Sequence, residues 1–160
     1  MPSGYRQRSG MFSSKQRVVV LVGLPGSGKS TWLAKQGGGA LSSDAMRKLL
    51  RDDEADQTIH GEVFALLRHL LRLRLRLGAA ATYIDSTNLT KRERRIWVKI
   101  AHDSGADCEA LFFDLPLSVC LARNAKRTRV VPAEVMELMA GRLVRPERAE
   151  GFAAIRVVSS

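Results

Sequence analysis

Apolar residues along this chain fall into short β-branched runs separated by stretches with helical spacing. The run VVVLV at residues 18–22 has no polar alternation, the pattern of a strand buried on both faces of a parallel sheet. Past a glycine-rich loop, a helix is expected from Lys29 to about Gln36, ended by Gly37, Gly38 and Gly39, whose backbone enters left-handed conformations freely. A short strand over Ala40 to Ser42 follows, then a helix to about Arg51 capped by Ser43 or Asp44, then an acidic loop at Asp52, Asp53, Glu54 and Asp56. The stretch LRLRLRL at 71–77 alternates as a strand would. Joined to the preceding EVFALLRHLL, however, it makes a proline-free run rich in the helix formers Leu and Arg, and its length decides for one helix over residues 58–77.

Gly78 closes that helix. Strands are expected at 81–85, with Asp85 at the C-terminal end, and at 108–114, separated by a helix over 90–104 that Gly105 stops. Pro116 starts a helix carrying Cys120, Arg123 and Arg127, Pro132 starts another ending near Gly141, and a last strand covers 155–158. Strands alternating with helices, with no repeat at a fixed period, predict a three-layer α/β domain with a central parallel sheet. It should occupy residues 16–160, behind a flexible Gly-, Ser- and Arg-containing arm at 1–15.

The 160 residues, 45% of them apolar, suffice for one domain with its own core. A net charge of +10 favours anionic partners: nucleotides, nucleic acid or acidic membrane surfaces. Cys108 and Cys120 match neither a zinc site nor a disulfide framework, which suits a reducing compartment. With no apolar run near the roughly 18 residues of a membrane span and no apolar signal core, the expectation is a soluble, cytoplasmic chain without a membrane partner.

The strongest chemical signal is Gly23-Leu24-Pro25-Gly26-Ser27-Gly28-Lys29-Ser30. Gly-x-x-x-x-Gly-Lys-Ser fixes four identities, so chance supplies it in a chain this long on the order of once in a hundred cases. It also stands between a β-branched strand and a helix, which turns successive N–H groups and a helix N-terminus toward a phosphate. The expected duties follow from residue type. Gly23, Gly26 and Gly28 give open φ values and close approach, with Ser27 between them in the cradle. Lys29 neutralises the β- and γ-phosphates, Ser30 ligates Mg²⁺, and Thr31 adds a phosphate contact. The ligand implied is ATP or another NTP with Mg²⁺.

A phosphate loop alone does not separate kinases from GTPases or motor ATPases. The chain has no guanine-reading Asn-Lys-x-Asp, no Asp-x-x-Gly switch after a strand, and too few residues for a motor domain. A small kinase is the leading class.

Ser42-Ser43-Asp44 with Arg47, Asp85-Ser86-Thr87-Asn88, Cys120-Leu121-Ala122-Arg123-Asn124 with Arg127, and Glu150-Gly151-Phe152 stand in that order behind the phosphate loop. In these residues, over 17 to about 158, the sequence resembles the P-loop polynucleotide 5′-kinase family. The resemblance implies a P-loop kinase fold with a helical lid and transfer of the γ-phosphate of an NTP to a 5′-OH end of RNA or DNA. Asp44 is then the base for the alcohol proton, although a helix N-cap explains it equally. Arg47, one turn on, grips an acceptor phosphate, and Gln57 touches the acceptor. Asp85 holds a Mg²⁺-bound water, orients Thr87-Asn88, or makes a purely structural hydrogen bond. Arg123 and Arg127 are similar to the family's lid arginines, which stabilise transition-state charge, and Lys126 and Arg129 thicken that patch. Glu150-Gly151-Phe152 is implied to lie near the nucleobase, although Phe152 could equally be core. Arg68, Arg72 and Arg76 recur at one-turn spacing and could steer a nucleic-acid phosphate backbone, but the preferred reading is a charged outer helix face opposite the leucines. Two other readings stay open: a kinase of the same architecture for a small metabolite or nucleotide sugar, and a non-catalytic, nucleotide-dependent nucleic-acid-binding module.

Overall fold

The computed structural model of the protein describes residues 15–159. The arm expected at 1–15 lies outside these residues except for Lys15, whose Nζ is 2.8 Å from a carboxylate oxygen of Asp107. In chain order the elements are β1 (Arg17–Val22), α1 (Lys29–Ala34), β2 (Ala40–Ser42), α2 (Ser43–Arg51), α3 (His60–Arg76), β3 (Ala81–Asp85), α4 (Lys91–Asp103), β4 (Asp107–Phe113), α5 (Leu117–Ala125), α6 (Ala133–Arg142) and β5 (Ala154–Val158). The strands form one all-parallel sheet in the order β2-β3-β1-β4-β5.

The β-branched run takes the centre because only there are both faces covered. Val18, Val20 and Val22 pack with Val63, Leu67, Leu71 and Leu75 of α3 and with Trp97 and Ile100 of α4. Val19 and Leu21 face the other way, toward Trp32 and Leu33 of α1. Three layers result, with α3 and α4 on one side of the sheet and α1 on the other.

The alternating LRLRLRL is indeed helical. Val63, Leu67, Leu71 and Leu75 recur every fourth residue and are at most 5% exposed, whereas Leu77, past the last turn, is 80% exposed. The helix starts later than the sequence suggests, because Asp56 caps a separate 3-10 turn at Gln57–Ile59 by accepting from the Thr58 N–H at 2.8 Å. Among the described residues no helix is long and apolar enough to cross a membrane.

Two boundaries correct the sequence reading, and both matter for the site. The cap of α2 is Ser42, not Ser43 or Asp44: its Oγ accepts from the Ala45 N–H at 3.2 Å, and Asp44 is thereby released from capping duty. In addition, α5 ends at Ala125, so Arg127 lies beyond the helix and does not continue the Arg123 face.

The loop after β3 is anchored by a buried polar network. Arg94 is completely buried and forks onto Glu150, with Nε to Oε1 at 2.8 Å and Nη2 to Oε2 at 3.0 Å. Its Nη1 donates to the carbonyls of Asn88 and Leu89 at 2.9 and 3.0 Å. Glu150 therefore serves structure. Phe152 is 3% exposed in the core, and none of Glu150, Gly151 and Phe152 lines the main cleft, contrary to the nucleobase contact implied by the resemblance. Removing one partner of a buried pair strands the other. Arg94→Ala is expected to cost about 3–5 kcal/mol, read as a lower urea midpoint, and Arg94→Lys, lacking the planar fork, should recover little of it.

Candidate active site

In a parallel sheet the C-terminal ends of all strands share one edge, and here β1, β2 and β3 deliver the site together. β1 runs into the glycine loop. Ser42 and Asp85 are partners in register at the ends of β2 and β3, which puts the start of α2 beside Asp85.

Each glycine of the loop has its own reason. Gly26 and Gly28 have φ of 79° and 99°, in the left-handed region. A Cβ on Gly26 would also come 2.5 Å from the carbonyl oxygen of Cys120, so the loop rests directly on α5. Gly23 has no positive φ, contrary to expectation. It is needed for room, because a Cβ there would meet Ser27 Oγ at 2.7 Å. Gly23 does not line the cleft but closes the loop from behind, donating its N–H to the Thr87 carbonyl at 3.1 Å.

Lys29 is 9% exposed, and its Nζ donates to the carbonyls of Gly23 and Leu24 at 2.7 and 2.8 Å. Burial lowers its pKa to about 8, partly opposed by the charge of Asp85, while Arg127 pushes the same way as burial. An incoming polyphosphate restores the ammonium form. Nucleotide affinity should therefore be fully present below pH 8 and weaken as pH rises through it, and binding at about pH 8.5 should take up protons. Calorimetry in buffers of different ionisation enthalpy measures that uptake, and enthalpies independent of buffer at this pH would refute it.

Asp85 is half-buried, and its pKa is raised by burial; the nearby charge of Lys29 and a hydrogen bond with Ser42 act against the rise. It lines the cleft together with Ser30, which is exposed on the first turn of α1, and with Thr31 and Gln57. Among the described residues no three His, Cys, Asp or Glu side chains converge. One hydroxyl and one carboxylate form a hard-oxygen donor pair of the kind Mg²⁺ uses when substrate phosphates and waters complete its shell, so the residues fit that ion.

Asp44 is held at both oxygens by arginines. Arg47 Nη1 is 3.1 Å from Oδ1, as the spacing of three predicts, and Arg129 Nη1 is 3.1 Å from Oδ2. Arg47 is 5% exposed, and its Nε is buried without a hydrogen-bond partner. Arg129 was expected only to thicken a patch. Its contact with Asp44 has no signature in the sequence, because it depends on the path of the loop after α5.

That path is held by Asn124, which stands in the Cys120–Asn124 motif but is given no role of its own by the sequence. Its side-chain amide is 3% exposed and brackets the far end of the loop, Nδ2 donating to the Val131 carbonyl at 2.7 Å and Oδ1 accepting from the Val131 N–H at 3.1 Å. Residues 125–130 are thus pinned at the neck. Arg123 sits above the phosphate loop, where a Cβ on Gly28 would be 3.7 Å from its Nη1. Arg127 bears electrostatically on both Lys29 and Asp85.

A single cleft of about 1890 Å³ is lined by the loop from Pro25 to Thr31, by Asp44, Arg47 and Asp85, and by Arg123, Arg127 and Arg129. Gly26 to Thr31, Asp44, Arg47, Gln57, Asp85, Arg123 and Arg127 are all on its wall, whereas Gly23, Lys126 and Glu150-Gly151-Phe152 are not.

The parallel sheet, the phosphate loop after its central strand and the arginine-bearing segment above that loop define a P-loop domain of the kinase fold. The chain belongs to the AAA domain family AAA_33, whose pattern it matches over residues 18–146. It is 31% identical over 115 residues to transcription factor bHLH140 of Arabidopsis thaliana, covering 72% of this chain but only 12% of that protein's length. Among solved structures, it superposes with a TM-score of 0.70 on a chain of the Pnkp1/Rnl/Hen1 RNA repair complex at 22% identity, over 81% of this chain and 44% of that one. A sugar kinase from Janibacter sp. HTCC2649 superposes with a TM-score of 0.63 at 22% identity, over 91% of this chain and 86% of that one.

Proposed function

We propose that the chain is an NTP-dependent polynucleotide 5′-hydroxyl kinase, acting on a 5′-OH end of RNA or DNA. The observation that carries this reading is the continuity of the cleft. It runs from the phosphate loop to Asp44 and past it along Gln57, His60, Phe64 and Arg68. A wall that continues beyond the candidate base with rings and an arginine suits a polymer end.

In the proposed reaction the 5′-hydroxyl oxygen forms a bond to the γ-phosphorus while the bond from that phosphorus to the β–γ bridging oxygen breaks, releasing the nucleoside diphosphate. Asp44 accepts the hydroxyl proton. Arg47 and Arg129 hold its carboxylate in place. Lys29 exchanges the Gly23 and Leu24 carbonyls for phosphate oxygens, and Arg123 and Arg127 face the charge that develops on the transferring group. Mg²⁺, held by Ser30 and through Asp85, would supply neutralisation of the β- and γ-phosphates.

Labelled ATP, Mg²⁺ and a 5′-hydroxyl oligonucleotide should give a labelled end. Absence of transfer to every RNA and DNA acceptor would overturn the proposal. The near-complete overlap with a sugar kinase chain favours a second reading, a kinase for a small alcohol. That reading wins if a sugar or nucleoside accepts phosphate far better than the oligonucleotide does.

A further inference from the structure

The cleft does not stop at Asp44. Beyond Arg47 its wall is made by His60, Phe64 and Arg68, each one turn further along α3, and by Arg92 at the start of α4. His60 and Phe64 present a pair of rings with centroids 4.5 Å apart and planes at 32°. Phe64 is backed by the buried Trp97 at 6.3 Å, so the outer ring of the pair rests on a fixed inner one.

The charges at this wall are open to a ligand. Two nearby carboxylates are engaged elsewhere, Glu93 with Arg142 and the α4 capping box, and Asp56 with Arg51 and Thr58, while Glu54 also lines the cleft. Arg68, expected to belong to an outward-facing charged stripe with Arg72 and Arg76, instead turns its side toward the cleft, while Arg72 and Arg76 stay exposed outside it. At the inner end of the wall stands Arg47, 5% exposed and with its buried Nε unpaired. A polar group that is buried without a partner costs free energy, and an anion at this point would remove that cost.

We infer that this wall seats the nucleotides immediately 3′ of the reacting end. A base stacks on the His60–Phe64 pair, and the flanking phosphates meet Arg47 Nε, Arg68 and Arg92. The inference rests on the polynucleotide reading and sharpens it to acceptor length. From His60 to Arg68 the helix rises about 12 Å, against about 3.4 Å per stacked nucleotide step, so the wall accommodates two nucleotides or more. A ladder of aromatic rings and arginines reads any base, and the preference it generates is for a single strand rather than for a sequence.

The test compares a nucleoside 3′-monophosphate with a 5′-hydroxyl tetranucleotide carrying 2-aminopurine at its second position. The tetranucleotide should be used with kcat/KM about tenfold higher or more, the scale of one base stack. With a non-hydrolysable NTP present, its fluorescence should be quenched on binding. Phe64→Leu, which keeps apolar volume against Trp97, and the exposed-site variants His60→Ala and Arg92→Ala should each raise KM for the tetranucleotide several-fold. KM for the monophosphate should stay unchanged, and the quench should fall with Phe64→Leu and His60→Ala. Equal use of the two acceptors, or variants that leave KM and fluorescence unmoved, would overturn the inference while leaving the kinase reading in place. Absence of transfer to both acceptors would take the kinase reading down and this inference with it.

Discussion

Asp44→Asn should lower kcat for transfer to a 5′-hydroxyl oligonucleotide by about 10²- to 10⁴-fold, the usual contribution of a positioned general base. Nucleotide affinity should hardly change, because Asp44 contacts Arg47 and Arg129 and not the phosphate loop. Single-turnover transfer at saturating nucleotide, paired with a separate binding titration, reads the two effects apart. An unchanged rate would remove Asp44 from the chemistry and leave it as a tether for Arg129. The same pair of measurements separates an enzyme from a binding module, in which losing this carboxylate would have no functional consequence.

Lys29→Met should act on the other half of the cleft. Methionine is close in length and tolerates burial, so the variant removes the charge with little change in volume. Charge-assisted hydrogen bonds to phosphate are lost, and triphosphate Kd should rise about 10- to 100-fold. Transfer should fall further still, since Lys29 also faces charge that grows as the γ-phosphate moves. A Kd within twofold of the parent protein would mean that the ammonium stays on the Gly23 and Leu24 carbonyls when nucleotide is bound.

Local patterns carried the fold a long way. VVVLV marks the central strand because only a strand covered on both faces can be uniformly apolar. The four-residue recurrence of Val63, Leu67, Leu71 and Leu75 outweighs the alternation that overlies it. The phosphate loop was legible for the same reason, since its requirements on backbone and charge all fall within eight consecutive residues.

What escaped was long-range or depended on one competing neighbour. Arg94 and Glu150 are 56 positions apart, and nothing local to either betrays a buried fork. Without that pairing, Glu150 could be assigned to a nucleobase. Ser42 and Asp44 are both good caps, and the choice fell to the residue at the end of β2, where the chain is still extended. Arg127 lies past the end of α5, in the loop that the Asn124 amide closes onto Val131, a contact that periodicity does not register.

That bridge has a mechanical consequence. With its ends clipped together, the segment between Asn124 and Val131 behaves as one piece: Arg127, whose charge is felt by Lys29, and Arg129, which touches Asp44, ride on the same short span. A shift of either arginine would be felt by the other, so any effect of an occupant beside Lys29 on one beside Asp44 would have to be matched by an equal effect in the opposite direction.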